Sequence, residues 1–500
     1  MWWIVALVSR ATSVSGAVTA ALALILAGQA AAAPLISQGA YRIGADALWS
    51  QGLLGQGQTI AVLDEGYMGL DRSIELGELP PRSEMDFYNA DPLNGWDGVS
   101  KLGTPTPHGV RMAEIVHDIA PRARLVLVRY RTPSQFAAAA AWIADRGIPV
   151  VSHSSSRLTA PFDGTGVYAR AVDAAAARGV LWVNSAGNYA RRHWTGTAAG
   201  LGAGVPLLTR DGDRLLISAS WEGPARFALT AQAFDPAAGG WRDIVAGEPD
   251  GPQTLLIPTT LVGAGAHRVL VRQTAGSPTR VDITSQTAGF GGAAVGEGSV
   301  TTPGDARGAL TVGAVNWSTD VVAPYSSYGP TRDGRAKPDI AGPTYITSNP
   351  EWPGTAGTSA STPHVAAGAV LLRQHRLSRG LPAGAADLRA ALLGSARPVE
   401  DPVPGRTGAG MVRLDTVPPR LGVSVTRARR PVVRVRALDA GTIERVTISV
   451  DGRPVRAVRR PAVGVRLPVL RRPVRVEVEV RDMAGNTRGT TRVVRPPVLR

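Results

Sequence analysis

The chain of 500 residues contains no cysteine, which excludes both a disulfide framework and a thiol nucleophile. It has only two lysines, Lys101 and Lys337, so its basic residues are almost all arginine. Aromatic residues make up 5 %, and residues 421–500 contain none. That absence counts against nucleic-acid binding by the most basic part of the chain, because stacking platforms are missing there. No apolar run beyond the N-terminus reaches the roughly 20 residues that a bilayer-spanning helix requires.

A hydrophobic fraction of 44 % with 19 % charged residues is ample for a sizeable core. The length predicts several folded units. The net charge of +15 is unevenly spread. Residues 421–500 hold 19 arginines against six acids, which gives +13 and leaves only +2 for the rest. Such clustering fits adhesion to an anionic cell-envelope polymer better than recognition of a specific nucleic acid. At the other end, Arg10 precedes the apolar stretch GAVTAALALILAG (16–28) and the small residues QAAAAP (29–34). This pattern predicts a signal peptide over 1–33, and hence a secreted or envelope-associated protein with no membrane span after cleavage.

From about 41 to 190 short apolar runs alternate with alanine-rich helical ones. TIAVLD (59–64), RLVLVRY (124–130), IPVVSHS (148–154) and VLWVNSAGN (180–188) read as strands. HGVRMAEIVHDIA (108–120), SQFAAAAAWIADRG (134–147) and GVYARAVDAAAARG (166–179) read as helices. The alternation predicts an α/β fold with a mostly parallel sheet flanked by helices, its sites at the carboxyl ends of strands. Between about 200 and 300 only strand-like segments occur, which predicts an inserted β-sandwich-like unit. After the linker TVPPR (416–420), strong alternation predicts a C-terminal immunoglobulin-like β domain over 416–500, with Asp451-Gly452 as a hairpin turn. The main domain is then 34–415.

Asp64 closes the first strand, His108 stands at a helix start, and Ser359 opens the helix in GTSASTPHVAAGAV (357–370). A serine hydroxyl is a poor nucleophile until a base takes its proton and a third group orients the base. Here the chain resembles the subtilases, the subtilisin-like serine peptidases. The matching pieces are IAVLDEG (60–66), PHGVRMAEIV (107–116), VVSHSSS (150–156), NSAGN (184–188), YSSYGPTRDGRAKPDIAGP (325–343) and GTSASTPHVAAGAVLL (357–372).

The resemblance implies an Asp64–His108–Ser359 triad in a secreted endopeptidase acting on proteins or peptides. It puts the Asn188 side chain, rather than Asn184, in the oxyanion hole with the Ser359 N–H. Ser152, His153 and Ser154 on one side, and Ala186 and Gly187 on the other, would flank an extended substrate. His364 follows Ser359 by five positions, a turn of roughly 140° on a helix, so it is a poor base. No cofactor is required and no metal site is assigned. Structural calcium is common in the family, and the loop 84–98 offers Asp86, Asp91 and Asp97. Glu65, where the family has serine or threonine, is a departure: a second carboxylate pointing inward would perturb Asp64 or His108. The competing reading is a catalytically impaired subtilase-fold binding protein of the cell envelope.

Overall fold

The computed structural model describes residues 34–98, 105–250, 253–401, 403–439 and 441–496. The signal peptide expected over 1–33 lies outside them. The central feature is a seven-stranded sheet. Its strands are β1 (Thr59–Asp64), β2 (Asp86–Asn89), β3 (Arg124–Arg129), β4 (Val150–His153), β5 (Leu181–Ser185), β6 (Ala309–Asn316) and β7 (Ile340–Thr344). They lie in the order β7-β6-β5-β4-β1-β3-β2, all in parallel register.

Helices cover both faces of this sheet, which explains why its strands read as near-continuous apolar runs. They include α1 (His108–Ile119), α2 (Pro133–Asp145), α3 (Val167–Ala177) and α4 (Thr358–Leu377). On one face Ile60, Val62, Leu125 and Leu127 pack with Ile115, Val365 and Val370. On the other, Leu63, Val128 and Val151 pack with Phe136, Tyr168 and Trp182. Each such side chain contributes roughly 1.5–3 kcal/mol when removed from water. Helix α2 shows how locally the sequence acts. Thr132 caps it and Gln135 reaches back to the cap, with Pro133 at the first helical position.

The chain leaves the parallel sheet after β5 and returns to it only at β6. Two antiparallel sheets fill the interval, one of four strands and one of five, spanning His193 to Ser285. Leu215, Ile217, Leu229, Val269, Val271, Val281 and Ile283 form their shared core. After Arg420 follow two further antiparallel sheets, of three and four strands, around Val435, Val446, Ile448, Val476 and Val480. This last unit rests on the end of α4, where His375 bonds Asn486 and Arg376 bonds the Met483 carbonyl. Among the described residues no helix is long and apolar enough to cross a membrane.

Candidate active site

β1, β4 and β5 end side by side, and Asp64, Ser154 and Asn188 lie at or just beyond those ends. A cleft of about 290 Å³ opens there, lined by Asp64, Glu65, Thr106, His108, Ser154–Ser156, Asn188, Tyr189, Arg192, Gln286, Ala356 and Ser359. Five residues singled out from separate motifs, Asp64, His108, Ser154, Asn188 and Ser359, thus share one cavity.

Asp64 is buried and both of its oxygens are engaged. The Glu65 N–H donates to Oδ1 at 2.8 Å, and His108 Nδ1 lies 2.7 Å from Oδ2. The ring is held by that bond at the start of α1, where its backbone N–H donates to the Thr106 hydroxyl at 3.2 Å. Nδ1 is thus the ring nitrogen that Asp64 engages, and Nε2 is the one not bound to it.

Ser359 sits in the first turn of α4, and Pro363 explains its setting. Proline has no N–H, so the Ser359 carbonyl lacks the helix partner four residues on. The Ser154 hydroxyl donates to that carbonyl at 3.0 Å, and the Ser359 hydroxyl donates to the Ser154 carbonyl at 2.9 Å. The reciprocal pair ties the serine to the end of β4.

Asn188 is oriented by the same helix start. Its Oδ1 accepts from the Thr358 N–H at 2.9 Å and the Thr358 hydroxyl at 3.1 Å. These bonds fix the amide so that Nδ2 remains the donor available to the cleft. Gly357 makes the approach workable: its φ is +117°, and a Cβ there would lie 3.1 Å from Asn188 Nδ2. Asn184 is fully buried instead, accepting from His153 and Trp182 and donating to the Ser185 carbonyl.

The expected flanking residues need correction. Ser152 and His153 are buried beneath the cleft and do not line it. His153 bonds Tyr130 at 2.9 Å and Asn184 at 2.6 Å, and burial pushes its pKa down to about 4. Ala186 and Gly187 are also buried below the surface; the Gly187 N–H donates to Thr358 Oγ1. Ser154 does line the cleft, joined by Ser155 and Ser156. His364 is buried against Ser37 and the Ala360 carbonyl.

Glu65 points into the cleft floor and is balanced there. It pairs with Arg157, whose guanidinium lies over the rings of Tyr130 and Tyr168. Burial opposes the charge of Arg157, yet the neighbouring carboxylate holds its pKa above the ordinary value. The partner sits far along the sequence, so no local signal announces it. Replacing Glu65 by glutamine keeps the shape but leaves Arg157 buried without its counter-charge. Such a loss costs about 3–5 kcal/mol. Chemical denaturation of Glu65→Gln should show a drop of that order, and unchanged stability would mean the pair contributes nothing.

Among the cleft residues that carried no sequence signal of function are Tyr189, Arg192 and Gln286. The inserted sheets begin at His193 and end at Ser285, so they leave and re-enter the core at the cleft itself. Of the loop carboxylates offered for calcium, Asp86 pairs with Arg124 and Asp91 with Arg129. Asp415, Asp439 and Asp482 are the one group of described acids with oxygens mutually within 4.8 Å, and they do not line the cleft.

Residues 270–412 match the family model described as the subtilase family. The fold is similar to that of the CspB protease of Clostridium perfringens, with a TM-score of 0.55 and 17 % identity over 75 % of this chain and 97 % of that one. The Prenylagaramide maturation protease PagA aligns at a TM-score of 0.43 with 16 % identity, covering 74 % of this chain and 96 % of its own. No curated protein matches the sequence.

Proposed function

We propose that the chain is a secreted serine endopeptidase of the subtilase family, the family whose model matches residues 270–412, and that its reaction runs through Asp64, His108 and Ser359. One observation carries the assignment. The 2.7 Å contact between Asp64 and His108 stands in the same cleft as the Ser359 hydroxyl, with the Asn188 amide beside it.

The chemistry follows from these positions. Ser359 Oγ leaves the Ser154 carbonyl, gives its proton to His108 Nε2 and attacks the scissile carbonyl carbon. Asp64 keeps the proton on Nδ1 and stabilises the imidazolium as it forms. The oxygen that becomes negative is met by Asn188 Nδ2 and by the N–H groups at the start of α4, whose dipole favours that charge. The imidazolium then protonates the leaving amine, and water repeats the cycle on the acyl-enzyme. Ser154–Ser156 continue β4 along the cleft and offer an extended peptide a strand to pair with.

Asn188→Ala tests the oxyanion role. It should lower kcat roughly 100- to 1,000-fold with little change in KM. Steady-state kinetics on a quenched-fluorescence peptide give the answer, and a loss under threefold would remove Asn188 from the reaction.

We read residues 1–33 as the export signal, 34–415 as the peptidase domain and 416–500 as an immunoglobulin-like module. The +13 charge of residues 421–500 supports a role in holding the enzyme on an anionic envelope polymer.

A further inference from the structure

The cleft holds more cation than its chemistry uses. Asp64 is bonded to His108 and Glu65 is paired with Arg157, which leaves unmatched the one guanidinium on the cleft lining, that of Arg192. Among the described residues Arg192 has no carboxylate partner. Its only side-chain bond is from Nη1 to the Gln286 carbonyl at 2.7 Å. It is half-buried, and that burial pushes its pKa below the ordinary value despite the neighbouring Tyr189.

The residue is also held in place. Its N–H donates to the Tyr189 carbonyl at 2.7 Å, and its own carbonyl accepts from Ser285 at 2.8 Å. Around it stands a set of polar groups already in order. The Tyr189 hydroxyl donates to Gln286 Oε1 at 2.9 Å and lies 2.9 Å from Ser156 Oγ. With Oε1 occupied, Gln286 has only its amide N–H groups left to offer. A fixed, half-buried guanidinium with no carboxylate partner among the described residues, next to an amide donor in the cleft, suits a carboxylate.

We infer that the cleft selects a substrate carboxylate next to the scissile bond, and that Arg192, placed by the inserted sheets, is the residue that binds it. The substrate class is then peptides with aspartate or glutamate at the cleavage position. This rests on the peptidase reading above and adds a substrate preference to it.

Two measurements separate the inference from that reading. Labelling of the wild-type protein by a fluorophosphonate reports the peptidase chemistry alone. Calorimetric binding to the Ser359→Ala protein reports recognition without turnover. The probes are four peptides of one sequence: three blocked at both ends with Glu, Gln or Lys at the central position, and the Gln peptide with a free C-terminus. The Glu peptide should bind roughly 10- to 100-fold more tightly than the Gln peptide, the range expected of hydrogen bonds to a charged group. Adding Arg192→Gln should erase that gap, and Arg192→Glu should reverse it in favour of the Lys peptide. Tightest binding by the unblocked Gln peptide would overturn the side-chain assignment and make the ligand a chain end. Equal binding of the Glu and Gln peptides, or a gap that survives Arg192→Gln, would also overturn the inference. With the wild type still labelled, the peptidase reading would stand.

Discussion

Ser359→Ala is expected to slow peptide hydrolysis on the order of 10⁶-fold, the loss found when the serine or histidine of such a triad is removed. In the proposed reaction this hydroxyl, which meets the end of β4 and shares the cleft with His108, is the group that passes its proton to the imidazole. What survives the substitution is binding and oxyanion stabilisation, which retain roughly 10³- to 10⁴-fold over water. The fold should survive too. The deleted group makes one hydrogen bond, at 2.9 Å to the Ser154 carbonyl, while the reverse bond from Ser154 goes to a backbone atom that alanine keeps. Unfolding should therefore shift by no more than about 1 kcal/mol. Kinetics and denaturation on the same preparation check both halves. A loss of activity that tracks a loss of fold would leave the catalytic role unsupported.

The second large effect is Asp64→Asn, for which a fall in kcat of about 10⁴-fold is expected. The structure supplies the reason. The Glu65 N–H points at Oδ1, so an asparagine must turn its oxygen toward that donor. Its NH₂ group then faces His108 Nδ1, where the aspartate oxygen stood at 2.7 Å. The ring must accept there and carry its proton on Nε2, which is the nitrogen that has to receive the proton from Ser359. Geometry is kept and the tautomer is wrong. A loss below about 100-fold in steady-state kinetics would mean that Asp64 does not set the tautomer.

Much of this site is legible because its residues sit on local motifs. Asp64 ends an apolar strand, His108 begins an amphipathic helix, Asn188 follows Gly187, and Ser359 comes two residues after Gly357. The rest depends on parts of the chain that meet only in the fold. Ser152 and His153 read as cleft residues because they are polar and follow a strand. β4 is central, however, with neighbours on both sides and helices over both faces. His153 is therefore packed against Phe136 and Trp182 rather than against a substrate. Glu65 could be seen in the sequence, but its partner Arg157 could not. Arg192 and Gln286 flank an insertion of all-β sequence, and nothing in their neighbourhoods shows that both ends of that insertion open on the cleft. Asp64, His108 and Ser359 belong to the parallel-sheet framework, and Arg192 stands at the edge of the insertion.

The most direct test of the account is to treat the purified, folded protein with a fluorophosphonate and map the adduct by peptide mass spectrometry. The account predicts a single adduct on Ser359, lost in His108→Ala and slowed in Asn188→Ala. A folded protein that takes up no probe, or carries it on Ser154 or Ser361, would contradict it.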